Sequence, residues 1–293
     1  MTVSSNMGQI LGVVYVDVPK NQVKVYLMKN KKPRVLFLSH GGGPMPLLGD
    51  EDHQEMVNNL KVIVTKIKKP SAVIVVSAHW EEKVPTITSG ANPSLIYDYY
   101  GFPKEAYDVE YPCSGEPFLA DQVATLLSCA GIKYRLDKQR GFDHGLFVPL
   151  KIMYPEADIP CIQLSLVQDL NPAEHIKIGK ALSSIKNDDL LIIGSGFSFH
   201  NMKAFFSTET NDSKKMNETF EQWLIDTCSN PDIEEAERVQ RLENWEQAPF
   251  ARYCHPREEH LLPLHICYGV VQTECSEYFE LSILNRKSSV YLW

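Results

Sequence analysis

Three apolar runs, each leading to a histidine, constrain this chain more than any other feature. Val35–Leu38 passes through Ser39 into His40 and then Gly41-Gly42-Gly43-Pro44. Ala72–Trp80, AVIVVSAHW, carries His79 near its end, and Leu190–His200, LLIIGSGFSFH, reaches His200 a few residues beyond its apolar stretch. Short aliphatic and β-branched runs bounded by turn residues read as strands buried on both faces, as in a parallel sheet. In open α/β sheets ligands sit outside the carboxyl ends of the strands. Three strand ends that each deliver an imidazole therefore predict one convergent site. The glycines after His40 predict a tight loop whose backbone crowds whatever that histidine faces.

Between these strands the apolar spacing turns helical. Met56, Leu60, Ile63, Val64 and Ile67 predict a helix over 50–69, which gives a strand–helix–strand unit with the first two runs. Helices are also expected over 116–130 and 172–186, the latter capped by Asn171 and begun by Pro172. Two polar helices are expected near 212–229 and 232–245. Further strands are predicted at 132–136, 161–167 and 279–284. The alternation predicts an α/β fold, a single domain with a central, mostly parallel sheet flanked by helices over 34–293. Residues 1–33 read as an N-terminal extension in which 13–18 and 22–27 form a hairpin. Residues 91–115 form a long loop with five tyrosines and Phe102, and loops of this length are commonly functional.

Composition removes several classes of function. A net charge of -8 argues against nucleic acid as a partner, since the phosphate backbone calls for basic patches. No apolar run approaches the roughly 18 residues of a membrane span. Seven cysteines without a C-x-x-C pair read as free thiols of a reducing compartment, which makes the cytoplasm the default location. Nothing in the sequence sets an oligomeric state.

Neutral imidazoles in a cluster most naturally hold a transition metal. His40 and His79 are the first candidates, His200 and His144 (in GFDHG, 141–145) follow, and His255 and His260 are both available from the C-terminal segment. Asp143 or Glu82 could orient the rings. His53, His175 and His265 lie on expected helices, and for His175 and His265 an ordinary structural histidine is the better reading. His40-Gly41-Gly42-Gly43 matches the oxyanion loop of some esterases, but Gly194-Ser195-Gly196-Phe197-Ser198 puts serine at the wrong positions for a nucleophile elbow. The same segment lacks the lysine of a phosphate-binding loop.

Five motifs occur in order: SHGGGP (39–44), SAHW (77–80), GFDHG (141–145), GSGFSFHN (194–201) and REEHLLPL (257–264). Together they resemble the class III extradiol ring-cleavage dioxygenases, in the group similar to bacterial and plant 4,5-DOPA extradiol dioxygenases, over about residues 34–285. The resemblance implies one divalent metal held by His40, His79 and His260, non-haem Fe(II) for ring cleavage, with Zn(II) able to occupy the site on isolation. It implies His200 as the catalytic acid/base, near enough to join as a further ligand, and His144 as a second catalytic histidine. Some relatives use a carboxylate as third ligand, which keeps Glu258 and Glu259 in view. The substrates implied are a small aromatic diol, DOPA-like, and O2. Trp80, Phe147, Phe197 and the loop tyrosines are the rings expected to sandwich such a diol. Two other readings remain open at this stage: a zinc-dependent hydrolase in the same three-histidine site, and a non-catalytic metal-binding signalling protein like the Memo family, which resembles these dioxygenases.

Overall fold

The three His-bearing runs become adjacent strands because their aliphatic residues can be covered on both faces. In the structure, a computed structural model that describes residues 32–293, they are β1 (Arg34–Ser39), β2 (Ala72–Glu82) and β6 (Leu190–Gly196). With β3 (Thr86–Thr88), β4 (Arg135–Asp137), β5 (Cys161–Val167), β7 (Glu277–Ile283) and β8 (Arg286–Leu292) they make one sheet in the order β4-β3-β5-β2-β6-β1-β8-β7. The central strands β5, β2, β6 and β1 are all parallel, and β7 and β8 add an antiparallel hairpin at one edge. The hairpin expected over 13–27 lies outside the described residues.

Alternating side chains feed two apolar layers. Val35, Phe37, Ile74, Val76, Ile162 and Ile192 face one layer, and Leu36, Leu38, Val73, Val75, Leu191 and Ile193 face the other. Helices α2 (Pro117–Cys129), α4 (Pro172–Leu182), α6 (Asn211–Ser229) and α9 (Leu262–Val271) cover the first layer. Helices α1 (Gln54–Lys66) and α3 (His144–Met153), with the tyrosine loop, cover the second. Short helices α5 (Met202–Phe205) and α8 (Ala251–Cys254) and helix α7 (Glu235–Glu243) complete the order. Asn171 caps α4 as expected, its side chain accepting from the Glu174 amide at 3.2 Å.

Several expectations shift. β1 and β2 run parallel but do not touch, because β6 lies between them. The crossover thus skips a strand, which periodicity cannot reveal. β4 sits three residues later than the apolar residues at 132 suggested, and α4 stops at Leu182 rather than near 186. β8 follows the last strand expected from the sequence: its Ser288 and Ser289 are fully buried and break the apolar pattern, yet they are bonded inside.

One of those serines reveals a buried acid. Ser289 Oγ donates to Glu221 Oε2 at 2.6 Å and the Ser289 amide donates to Ser198 Oγ at 2.8 Å. Burial pushes the Glu221 carboxyl from its ordinary 4.5 up to about 7, against the smaller opposing effect of those hydroxyls. A carboxyl whose folded value lies above its unfolded one stabilises the fold fully below the unfolded value, and that contribution is lost as pH rises through the folded value. Glu221→Gln should therefore flatten the fall in stability between about pH 4.5 and 7, by an amount on the order of 3 kcal/mol. Urea melts of both proteins on either side of that window check it. An unchanged pH slope in the variant would show that Glu221 does not carry the effect.

Candidate functional site

The sheet brings the carboxyl ends of β1, β2 and β6 side by side. His40 follows β1 directly, and its amide donates to the Gly196 carbonyl at the end of β6 at 3.0 Å. His79 lies where the pairing of β2 with β5 shifts register between Ser77 and Glu81, an irregularity of the kind that re-aims a side chain. Its amide donates to Ser77 Oγ at 3.1 Å, and Ser77 in turn donates to Asp143 at 2.8 Å. His260 precedes α9, and its carbonyl accepts from the Phe197 amide at 2.9 Å. Gly196 permits that approach: a Cβ there would stand 2.1 Å from the His260 carbonyl oxygen.

The rings of His40, His79 and His260 present nitrogens within 4.8 Å of one another. Burial, reinforced by the neighbouring imidazoles, holds His40 and His79 well below the ordinary 6.5, and burial brings His260 down to about 3. All three are therefore neutral and keep a lone pair. Ser195 Oγ donates to the Gly145 carbonyl at 2.5 Å and so accepts from His40 Nδ1 at 3.1 Å, which leaves the His40 lone pair on Nε2. His260 Nδ1 donates to Glu259 Oε1 at 3.0 Å, which likewise frees Nε2. His40 Nε2 and His79 Nε2 face each other at 2.9 Å. Two lone pairs at that distance repel unless a cation or proton lies between them. Two imidazole nitrogens each about 2.0–2.1 Å from one ion, in adjacent positions, stand about 3 Å apart. The donor set fits a divalent transition metal.

His144 and His200 flank this cluster. His144 opens α3, its glycine neighbours notwithstanding. Its backbone N–H and its Nδ1 both donate to Asp98 Oδ1, at 3.1 and 2.8 Å. Although burial pushes Asp98 upward, the bonds from His144 hold its carboxyl below the usual range. The His200 ring stacks on His260 with centroids 3.4 Å apart and planes at 14°, and its Nδ1 lies 3.4 Å from Glu259 Oε1. Burial would raise the Glu259 carboxyl, but the two imidazoles hold it far below its ordinary value.

Asp98 and Glu259 are the orienting carboxylates, a part that no local pattern in the sequence marks. Asp98 is hidden in the YDYY run of the loop, more than 40 residues before its partner. Glu259 adjoins His260 but was weighed there only as an alternative ligand. Asp143, expected to orient an imidazole, accepts instead from Ser77 and Arg140, and Glu82 accepts from Trp80 and Arg135. Glu258 turns outward to Arg252.

The other histidines have local tasks. His255 is fully buried between Phe220 and Trp245, its Nε2 donating to the Ser198 carbonyl at 2.7 Å, outside the cluster. His53 accepts from the Gly42 amide at 2.9 Å and donates to Asp50 at 2.6 Å, so it holds the glycine loop. Gly41 has φ +82°, and a Cβ there would meet His53 at 2.7 Å. The loop's closeness serves His53, and Gly41, Gly42 and Gly43 also line the cavity that His40 faces.

The five clustered histidines floor a cavity of about 480 Å³ with apolar walls that include Phe197, Tyr99 and Phe102. Trp80, expected here, lies elsewhere. Side chains alternate along a strand, so turning His79 into the cavity sends Trp80 to the opposite face. There its indole N–H donates to Glu82 at 3.2 Å and Arg140 covers the ring at 4.3 Å. Phe147 is buried under Tyr97 and Tyr99 in the core.

A profile of the catalytic LigB subunit of aromatic ring-opening dioxygenase matches residues 34–289. The chain belongs to this family. It is accordingly a dioxygenase of the extradiol ring-cleavage class, and among the described residues the His, Asp and Glu groups that could hold a metal ion all gather at the histidine cavity. Among its relatives is the dioxygenase TasH of Hapsidospora irregularis, 39% identical over 82% of this chain and 78% of the relative. The Beta vulgaris 4,5-DOPA dioxygenase extradiol is 37% identical over 80% and 85%. The Escherichia coli K12 protein of the same name is 32% identical over 84% and 88%. A crystal structure of an uncharacterized E. coli K12 protein superposes with a TM-score of 0.68 at 26% identity, covering 88% of this chain and 98% of that one.

Proposed function

We propose that this member of the family opens the ring of a catechol with O2, using one Fe(II) held by His40, His79 and His260, and that it works in the cytoplasm, where its cysteines stay free thiols. The observation that carries the reading is the convergence of three neutral imidazoles, two of them with Nε2 left bare by a fixed Nδ1 bond, at the floor of an aromatic-walled cavity. Iron(II), when bound, supplies the electron exchange that lets O2 react with an aromatic diol, and three protein ligands leave positions open for both reactants.

The chain's own residues do the rest. His200 takes the proton of a catechol hydroxyl at Nε2, because its Nδ1 side is turned to Glu259. It later returns that proton to an oxygen of the opening ring. Asp98 fixes the ring of His144 through Nδ1, so that Nε2 is available to the substrate's oxygens. Phe197, only 1% exposed and edge-on to His40, forms a wall for the ring and keeps water from it.

The test is anaerobic loading with Fe(II), then addition of air-saturated buffer with a panel of catechols. The expected result is O2 uptake with a yellow ring-opened product, and none after Zn(II) loading. If the Fe(II) protein holds its metal yet consumes no O2 with any catechol, the ring-cleavage reading fails and hydrolysis becomes the reading to test.

A further inference from the structure

The cavity is much larger than its floor requires. Its space of about 480 Å³ falls within the range of roughly 300–1,000 Å³ that holds drug-sized ligands, well above what a single dihydroxybenzene ring fills. What lines the remainder is apolar. Among the described residues around the cavity, no side chain is Lys, Arg, Asp or Glu.

The mouth extends that character outward. Tyr100 is 92% exposed, Phe206 83% and Met202 53%, and all three border the same opening. Scattered apolar residues on a surface are ordinary, but a contiguous group at the rim of a cavity marks a binding surface.

A separate observation comes from the backbone. Leu284 and Asn285 form the tight turn between β7 and β8, with φ +51° and +58°. Turns of this kind favour Gly, Asn or Asp, because a larger side chain is strained at positive φ. Leucine stands there against that preference. Its side chain lines the cavity and lies 3.6 Å from where a Gly42 Cβ would be. The strain places a methyl-rich wall on the cavity that Met202 and Phe205 of α5 also line.

We propose that the natural substrate is a catechol whose ring carries a large uncharged apolar substituent, seated between Leu284, Phe205, Phe206, Met202, Tyr100 and Phe102. This rests on the ring-cleavage reading and narrows it. It departs from the DOPA-like diol that the resemblance implies. A carboxylate or ammonium on the substituent would lose water here without an opposite charge from the described lining, a cost that an alkyl or aryl group does not meet. Each methylene buried instead adds affinity.

The experiment measures two things on the same proteins. Binding is read as Kd on Zn(II)-loaded protein by intrinsic fluorescence, where no turnover occurs. O2 uptake is read on Fe(II)-loaded protein. The series is catechol, ethylcatechol, butylcatechol and hexylcatechol, against DOPA and dihydroxyphenylacetate. Kd should fall by about fourfold per methylene until the mouth is filled. Leu284→Gly removes the strained side chain while relieving the backbone, so the fold is kept and the slope should shrink. Phe206→Lys should shrink it too and tighten dihydroxyphenylacetate at least tenfold.

If DOPA or dihydroxyphenylacetate binds wild type as tightly as hexylcatechol, the substituent inference is overturned while ring cleavage stands. The same holds if both variants keep the wild-type slope. If no catechol of either kind drives O2 uptake, the ring-cleavage reading falls and takes this inference with it.

Discussion

His260→Ala is expected to yield a folded protein that no longer retains its divalent ion, and His40→Ala and His79→Ala should do the same. Each supplies one of three converging nitrogens, so its removal leaves two, too few to compete with water and buffer. Loss of a mere supporting contact to a metal ligand costs about 10–100-fold in affinity. Loss of a ligand should exceed that, and turnover should vanish with the metal. Metal analysis after desalting, with a thermal melt to show that the fold persists, checks the expectation. Wild-type metal content in all three variants would show that the triad is misassigned. The imidazoles are buried beside strand ends whose packing comes from Phe37, Val75 and Ile193, so the fold does not depend on the rings themselves.

His200→Gln is expected to behave differently: full metal content, with turnover reduced by roughly 10²–10⁴, the usual size of a general acid/base contribution. The ring of His200 lies against the face of His260 rather than edge-on to the His40–His79 pair, and its Nδ1 is turned to Glu259. Glutamine keeps hydrogen-bonding capacity at that position but cannot relay a proton near neutral pH. If the variant loses its metal, His200 is a fourth ligand. If it keeps both metal and full turnover, the proton is handled elsewhere, and His144, held by Asp98, becomes the group to replace.

Both expectations begin from residues that are legible in the bare sequence: His40, His79 and His200 follow apolar runs, and His260 stands in the REEHLLPL motif that the resemblance singles out. The same local signal predicted β5 at its exact residues and the Asn171 cap of α4. Where the pattern is mixed, it misled. α3 carries Gly145 and Pro149 within ten residues and so reads as loop, yet Asp98 accepts from its first amide and its first seven residues are all buried. β8 is interrupted by two serines that look solvent-facing until Ser198 and Glu221 are placed beside them. Trp80 looks like a substrate platform because it adjoins His79, although adjacency along a strand puts it on the opposite face.

Sequence by itself determined the layered α/β architecture, the family and the histidines worth considering, because hydrophobic period and short motifs are properties of neighbouring residues. Tertiary structure alone decided that β6 separates β1 from β2 and that Asp98 and Glu259 set the imidazole tautomers. It alone placed Leu284, Phe206 and Tyr100 around one opening, from three segments far apart in the chain. The physical reason is the same in each case: hydrogen bonds to a carboxylate, and the walls of a cavity, depend on distances through space that no local pattern encodes.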